Sequence, residues 1–171
     1  MKILITGSDG LVGWHTRCFF HRHNQINVIE CNRDQFADNR YLSEALSSCD
    51  AVIHLAGANR GEPEVVAQTN RDLAKRLTDT LTSSGATPHL LFSNSTHVDL
   101  ASPYGKSKRD CGTLFRQWAE ASGSCFTDFI LPHIFGEHGK PFYNSVVSTF
   151  SHQLVVGENP TIQSDLSLIH I

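Results

Sequence analysis

Short apolar runs alternate with longer amphipathic segments along most of this chain. The apolar runs predict β-strands at residues 2–6, 26–31, 51–55, 88–93 and 124–131. The amphipathic segments predict helices at residues 11–23, 40–49, 63–83 and 103–121. Strands that alternate with helices in this way predict an α/β fold, namely a Rossmann-type doubly wound parallel sheet with right-handed crossovers.

The pattern changes after residue 131. Residues 132–141 have the composition of a loop, and a helix is predicted at about 143–155 before a turn at 157–160. The last apolar run, 166–171, predicts a strand with nothing after it. We therefore predict a main domain over residues 1–131 and the start of a small substrate-binding subdomain over 132–171. We expect that subdomain to be incomplete, because a domain rarely ends inside a strand.

Three glycines follow the first predicted strand. Gly7, Gly10 and Gly13 are spaced G-x-x-G-x-x-G and lead directly into the first predicted helix. In a dinucleotide-binding loop such glycines permit the tight turn, the approach of backbone to a pyrophosphate, and close packing of helix on sheet. The helix then presents free N–H groups to the anion. Residues 1–131 are thus predicted to form an NAD(P)-binding domain, with Asp9, Leu11 and Val12 as further cofactor contacts.

The ends of the next two strands predict further cofactor contacts, and the first of them indicates which cofactor binds. Asn32 and Arg33 follow the second strand, where an acidic residue would bind the ribose 2′-hydroxyl of NAD and an arginine would pair with a 2′-phosphate. NADPH is therefore favoured over NADH, although Asp34 could instead take the acidic role. Small residues at the end of the third strand leave room for a ligand, and the predicted contacts there are Leu55, Ala56 and Gly57.

A tyrosine and a lysine lie four residues apart at the start of the last helix of the main domain. Ser102 is a suitable N-cap and Pro103 suits the first helical position, so Tyr104 and Lys108 are expected on one helix face. An ammonium beside a phenol favours the phenolate, so we predict that Lys108 lowers the pKa of Tyr104. A tyrosine tuned in this way can exchange a proton with a substrate oxygen.

Composition narrows the function further. The chain has 171 residues, a formal net charge of −3 and no polybasic run, which speaks against nucleic-acid or membrane-surface binding. The first apolar run is too short for a signal peptide or a membrane span. The five cysteines are widely spaced, and no His/Cys grouping has metal-site spacing. We expect reduced thiols, no metal site and a cytoplasmic location.

These motifs together resemble the extended short-chain dehydrogenase/reductase superfamily, the NAD(P)-dependent epimerases, dehydratases and reductases of sugar nucleotides. Besides the glycine loop, the resemblance rests on four segments in the expected order. They are His54-Leu55-Ala56-Gly57, Phe92-Ser93-Asn94-Ser95, Tyr104-x-x-x-Lys108 and Pro132-His133-Ile134-Phe135-Gly136.

A narrower resemblance is to the bacterial capsular-polysaccharide reductases. It rests on residues 53–60, on the short gap between Ser95 and Tyr104, and on residues 140–147. It implies NADPH-dependent reduction of a 4-keto UDP-sugar to UDP-N-acetyl-6-deoxy-L-talosamine, and a homodimer. Members of that family usually also carry a C-terminal cupin domain that binds zinc, and residues 1–171 do not include one.

The resemblance also implies residue roles. Tyr104 would be the proton donor, Lys108 would also hold the nicotinamide ribose, and Ser95 would hydrogen-bond the substrate oxygen. Thr96 is the alternative to Ser95, because the sequence does not fix the register of this segment. Beyond residue 131, the implied cofactor contacts are Pro132 and Ile134, and the implied substrate contacts are His133, Lys140 and Asn144. A structural role in the loop stays open for Lys140 and Asn144.

Two other functions remain open. One is a sugar-nucleotide 4-epimerase or 4,6-dehydratase of the same superfamily, although residues 93–96 lack the acidic pair expected of a dehydratase. The other is a dinucleotide-binding module or fragment without catalysis.

Overall fold

Five strands form the sheet of the structure, which is a computed structural model that describes residues 1–161. The predicted strand at 166–171 lies outside these residues. The strands are β1 (Lys2–Thr6), β2 (Asn27–Cys31), β3 (Ala51–His54), β4 (His89–Ser95) and β5 (Phe126–Leu131). The helices are α1 (Leu11–His21), α2 (Arg33–Ala37), α3 (Asn39–Ser48), α4 (Pro63–Ser84), α5 (Pro103–Ser122) and α6 (Val146–Val155). A short 3₁₀ helix spans Thr96–Asp99.

The sheet has the order β2-β1-β3-β4-β5. The pairings of β1 with β2 and β3, and of β3 with β4, are all parallel. The chain starts in the middle of the sheet, builds outward to β2, and then crosses to the other side with β3. This reversal places the carboxyl ends of β1 and β3 side by side, where open α/β sheets bind their ligands. The predicted doubly wound fold is confirmed.

The main core lies on one face of the sheet. Leu4, Val52 and Leu90 are aligned across three strands and are fully buried. They join side chains from α3, α4 and α5, of which Phe115 is the largest that is fully buried. On the opposite face, Ile53 and Leu91 are only half-buried within the described chain.

Local sequence signals explain where the helices begin and end. Ser102 accepts a hydrogen bond from the Gly105 N–H at 3.1 Å, so it caps α5 as predicted, with Pro103 in the first turn. Both long helices, α4 and α5, end at a glycine with left-handed backbone, Gly85 and Gly123. A glycine in this conformation turns its N–H back to a carbonyl of the last helical turn, namely Thr82 in α4 and Ala119 in α5.

The sequence patterns missed two short elements. In α2, the Asn32 side chain accepts from the Gln35 N–H at 3.0 Å, and the Gln35 side chain accepts from the Asn32 N–H at 2.9 Å. This reciprocal capping box was readable as Asn-x-x-Gln after the second strand. The second missed element is the 3₁₀ helix, which begins at Thr96. In addition, β4 continues to Ser95 and does not end at residue 93 as predicted.

The chain divides into two compact units, Met1–Ile130 and Leu131–Ile171. In the second unit, Ser145 caps α6 by accepting from the Ser148 N–H at 3.1 Å. The Thr149 hydroxyl accepts from the Phe142 N–H at 2.9 Å, so α6 holds the preceding loop.

The five cysteines are free thiols. Cys18 and Cys125 are exposed, Cys49 is half-buried, and Cys31 and Cys111 are buried. Burial raises the pKa of Cys31 to about 12 and that of Cys111 to about 11. Among the described residues, no helix is long and apolar enough to cross a membrane.

Candidate active site

The glycine loop is closely packed between the ends of three strands. The Gly7 N–H donates to the Cys31 carbonyl at 2.9 Å, and Gly7 has a φ of 70°. A Cβ atom on Gly7 would lie 2.7 Å from the Ala56 nitrogen. A side chain here would thus have both the wrong backbone angle and no space, which explains the glycine.

The start of α1 packs directly on this loop. A Cβ atom on Gly13 would lie 2.3 Å from the Gly7 carbonyl oxygen. The N-cap of α1 is Gly10, and within the described residues 1–161 no side chain caps the helix. Free N–H groups at the first turn of a helix attract a phosphate, so the loop fits the pyrophosphate of a dinucleotide. Such a ligand would meet Asp9 and Gly10, which are exposed, and Leu11 and Val12, which are half-buried.

Arg17 holds the glycine loop to β2, and the sequence analysis did not single it out. Its guanidinium donates to the Ser8 carbonyl at 3.2 Å and lies 2.7 Å from the Glu30 carboxylate and 3.5 Å from that of Asp9. No motif marks this residue, because its partners are brought together by the parallel pairing of β1 with β2.

The predicted 2′-phosphate segment lies at the start of α2. Asn32 is half-buried, and its side-chain oxygen is engaged in the capping box. Arg33 and Asp34 are both exposed, so either side chain is accessible to a ligand. Both side chains could therefore reach the 2′ position of a cofactor ribose, and the preference for Arg33 stays a prediction.

The loop after β3 carries Leu55, Ala56 and Gly57, and it is braced by α4. The Asn70 side chain accepts from the Ala58 N–H at 2.8 Å and donates to the Ala58 carbonyl at 2.9 Å. A Cβ atom on Gly57 would lie 3.1 Å from the Asn70 amide oxygen. Asn70 is buried, and its two bonds satisfy the loop backbone at the edge of the predicted cofactor site.

His54 lies in an aromatic cluster at the carboxyl end of β3. Its ring is surrounded by Phe36, Phe92 and Phe115, with centroids 5.4 to 6.1 Å away. Its Nδ1 lies 2.7 Å from the Thr6 hydroxyl. Burial, with a smaller contribution from Lys108, lowers the pKa of His54 to about 3, so this histidine is neutral at physiological pH.

The structure brings Ser95, Tyr104 and Lys108 together. The Tyr104 and Ser95 side chains interact across the gap between β4 and α5, and this interaction acts to lower the pKa of Tyr104. The Lys108 ammonium donates to the Ser93 carbonyl at 2.9 Å and lies 5.9 Å from the centre of the Tyr104 ring. Lys108 is buried although it is charged, and its ammonium also lies 4.7 Å from the Phe92 ring centre. These three residues can therefore act on one substrate group.

The predicted direction of the Tyr104 pKa is wrong for this structure. Burial raises the pKa of Tyr104, and the hydrogen bond with Ser95 opposes that effect only in part. The physical reason is that Lys108 points its ammonium at the Ser93 carbonyl and not at the phenol. Burial also lowers the pKa of Lys108 itself to about 8.

Ser95 and Thr96 differ in their surroundings. Ser95 is half-buried at the end of β4, and its hydroxyl also accepts from the His97 N–H at 3.2 Å. Thr96 is exposed and begins the 3₁₀ helix. The geometry thus favours Ser95 as the partner of Tyr104.

The remaining predicted contacts belong to the second unit. Pro132 and Ile134 are half-buried, whereas His133, Lys140 and Asn144 are exposed. Phe142, between the last two, has a φ of 55°, which is uncommon for a bulky side chain. Their roles toward cofactor and substrate stay predictions.

Comparison with known proteins identifies the family. The profile of the NAD dependent epimerase/dehydratase family matches residues 3–168. The chain belongs to this family. Within the family, it is 34% identical over 156 residues to a UDP-2-acetamido-2,6-beta-L-arabino-hexul-4-ose reductase of Pseudomonas aeruginosa. The predicted resemblance to this family and to its capsular-polysaccharide branch is confirmed.

Solved structures of the NAD dependent epimerase/dehydratase type have the same fold. The capsular polysaccharide assembling protein CapF from Staphylococcus aureus matches with a TM-score of 0.79 and 28% identity, over 96% of this chain and 43% of CapF. The UDP-glucose 4-epimerase of Thermotoga maritima matches with a TM-score of 0.83 and 21% identity, over 96% of this chain and 66% of the epimerase. The match to the Pseudomonas reductase covers 91% of this chain and 41% of that protein. The chain thus spans less than half the length of the curated relative.

Proposed function

We propose that this protein is an NADPH-dependent reductase of a 4-keto UDP-sugar. The observation that carries the proposal is the cluster of Ser95, Tyr104 and Lys108 at the carboxyl ends of the strands. Its 34% identity to a reductase of a UDP-linked hexul-4-ose supports the choice of substrate class. The product inferred from the sequence resemblance is UDP-N-acetyl-6-deoxy-L-talosamine.

The residues divide the chemistry of ketone reduction among them. When bound, NADPH would supply the hydride for the ketone carbon. Tyr104 donates its phenolic proton to the ketone oxygen, and a raised pKa keeps that proton on the phenol at neutral pH. Ser95 donates a hydrogen bond to the same oxygen as negative charge develops there. Lys108 supplies a nearby positive charge and a donor for the nicotinamide ribose.

The cofactor and substrate contacts complete the proposal. Arg33 would pair with the 2′-phosphate of NADPH, and the loop at Leu55–Gly57 would lie along the dinucleotide. Pro132 and Ile134 would contact the cofactor, and His133, Lys140 and Asn144 the UDP-sugar. We expect a homodimer in the cytoplasm. These assignments rest on the sequence motifs and on the relatives.

The proposal is tested by mixing the purified chain with NADPH and candidate UDP-4-keto sugars while following the absorbance of the reduced nicotinamide. Consumption of NADPH that depends on the keto sugar is expected, and tighter binding of NADPH than of NADH in a direct titration would support the role of Arg33. A chain that binds NADPH but reduces none of the sugars would be a dinucleotide-binding module. Tightly retained NAD in the purified protein would favour a 4-epimerase.

A further inference from the structure

A hydrogen-bonded pair, formed by buried Asn94 and half-buried Asp128, links β4 to β5 next to the candidate active site. The Asn94 side-chain amide donates to the Asp128 carboxylate at 3.1 Å. The Asn94 side-chain oxygen accepts from the Ser95 N–H at 2.9 Å. Asn94 is only 4% exposed, and the function proposed above uses neither residue of the pair.

The pair also lies against the helix that carries Tyr104 and Lys108. A Cβ atom on Gly112, one helical turn after Lys108, would lie 3.2 Å from the Asp128 carboxylate and 3.5 Å from the Asn94 amide nitrogen. Glycine at this position therefore leaves room for the pair to contact α5. The second carboxylate oxygen of Asp128 is buried and has no hydrogen-bond partner among the described residues.

A buried carboxylate oxygen without a hydrogen bond is costly unless a positive charge lies nearby. Lys108 provides that charge, because it lies on α5 one turn before Gly112, against which the Asp128 carboxylate packs. Burial lowers the pKa of Lys108, and Cys111 and Asp128 oppose that lowering. The other titratable groups near Lys108 are neutral near pH 8. Cys111, on α5, has a pKa of about 11, and His54, on β3, has a pKa of about 3. Tyr104, also on α5, keeps its proton because burial raises its pKa.

We propose that Asn94 and Asp128 are positioning residues, which together hold the end of β4 so that Ser95 and the Ser93 carbonyl face Tyr104 and Lys108. Asn94 fixes the backbone of Ser95 from one side. Lys108 holds the neighbouring Ser93 carbonyl from the other. Asp128 holds Asn94 and supplies the counter-charge that keeps Lys108 protonated.

Exchanging the two side chains tests the hydrogen bond. Asn94→Asp places two carboxylates together and should lower kcat by about 10-fold or more, because small displacements in an active site are costly. The double variant Asn94→Asp/Asp128→Asn restores a donor and an acceptor, since the new carboxylate at position 94 accepts from both the Ser95 N–H and the new amide at position 128. It should recover most of the lost kcat. If kcat of the double variant is no higher than that of Asn94→Asp, the proposed role of the Asn94–Asp128 hydrogen bond is wrong. It is also wrong if Asn94→Asp keeps the wild-type kcat.

Asp128→Asn tests the charge, because it keeps a hydrogen-bond acceptor for Asn94. We expect the Lys108 ammonium signal, followed by NMR of lysine side chains, to titrate at a lower pH than in the wild type. The alkaline fall of kcat/KM should move in the same direction. Asp110→Asn is the matched control, because Asp110 is also on α5 but forms a partly exposed pair with Arg71 at 3.7 Å. A Lys108 midpoint that does not move in Asp128→Asn would overturn the role of the carboxylate.

The kinetic measurements rest on the proposed reductase function, whereas the NMR titration does not. A wild-type chain that reduces no keto sugar would contradict the proposed function alone. The Lys108 midpoints of the wild type and Asp128→Asn would still decide whether Asp128 holds the charge on Lys108. A merely structural role would change the melting temperature and leave these midpoints in place.

Discussion

Tyr104 is held in the structure as an acid. A phenol that loses water on burial keeps its proton more firmly, because the phenolate is the form that needs solvation. In the direction of ketone reduction the enzyme must give a proton to the oxygen, so a protonated tyrosine is the useful starting state. The raised pKa of Tyr104 thus agrees with a reductase, although the sequence pattern predicted a lowered one.

Replacing Tyr104 by phenylalanine should remove the proton donor and keep the ring. We expect kcat for ketone reduction to fall by about 100-fold or more, which is the usual contribution of a positioned acid. The affinity for NADPH should change little. Tyr41→Phe is the control, because the Tyr41 hydroxyl donates to the Glu30 carbonyl, away from Ser95 and Lys108. Unchanged turnover in Tyr104→Phe would rule out the assignment.

His54 should make the folded chain sensitive to acid. The unfolded chain takes up a proton at the ordinary histidine pKa of about 6.5, whereas the folded chain does so only near pH 3. As the pH falls between these values, the unfolded state binds more protons, so stability is lost by about 1.4 kcal/mol per pH unit from this one group. Urea unfolding from pH 7 to pH 4 measures the slope. His54→Phe should have a smaller slope, and an equal slope would contradict the assignment.

At the scale of elements, the glycine loop and the start of α1 form one rigid unit. Gly13→Ala would force a methyl group to within 2.3 Å of the Gly7 carbonyl oxygen, so the helix must move away from the loop. We expect NADPH affinity to fall by about 10-fold or more, together with a loss of about 1–3 kcal/mol in stability from overpacking.

Gly85→Ala separates these two effects. Gly85 also has a positive φ, 67°, but no atom of the residues that the structure describes, its chain neighbours aside, lies within 4 Å of its would-be Cβ. This variant should lose stability through backbone strain and bind NADPH as the wild type does. Titration of nicotinamide fluorescence together with thermal unfolding would measure both properties. NADPH affinity that falls equally in the two variants would show that the glycine loop has no specific role.

The contact of α4 with the loop after β3 gives another prediction. Asn70→Asp is nearly isosteric but cannot donate to the Ala58 carbonyl. We expect a loss of about 1–3 kcal/mol in the free energy of unfolding, because the half-buried Ala58 carbonyl is left without its partner. Since the loop borders the proposed cofactor site, NADPH affinity should fall as well. Gln68→Ala, on the exposed side of α4, should change neither property.

Periodicity in the sequence predicted the elements that are long and apolar on one side. The five strands and four of the five α-helices of the first unit follow from it, because each must bury one face against the others. The two missed elements, α2 and the 3₁₀ helix, are too short to have a period. Their signals lie in single side chains, such as Asn32 and Ser95, that accept hydrogen bonds from the next turn.

At the scale of the whole molecule, the sheet brings together side chains that are distant in sequence. The motif spacing predicted that Tyr104 and Lys108 share a helix face, because four residues make about one turn. It could not predict that Asp128 meets Asn94, 34 residues earlier, since this depends on β5 pairing beside β4. The direction of the Tyr104 pKa was missed for the same reason, because burial is a property of the assembled fold.

The first unit holds the proposed cofactor loop and the Ser95, Tyr104 and Lys108 cluster. The second unit holds the predicted substrate contacts His133, Lys140 and Asn144. The aligned part of the Staphylococcus CapF is 43% of its length, so CapF contains much additional chain. We therefore propose that the first unit carries the proton-transfer residues and that the second unit contributes to the choice of sugar.

The rates at which the five cysteine thiols are alkylated would report how often the parts of the fold around them open. Only the thiolate reacts with alkylating reagents, so the buried thiols with raised pKa values should react slowly in the folded chain. Cys18 and Cys125 should be labelled first. The Cys111 sulfur lies 3.4 Å from the Asn70 carbonyl oxygen, between α5 and α4, so its labelling requires these helices to separate. Its labelling rate, followed by mass spectrometry with and without NADPH, would report how often the helix of Tyr104 and Lys108 detaches, and slower labelling with NADPH is expected.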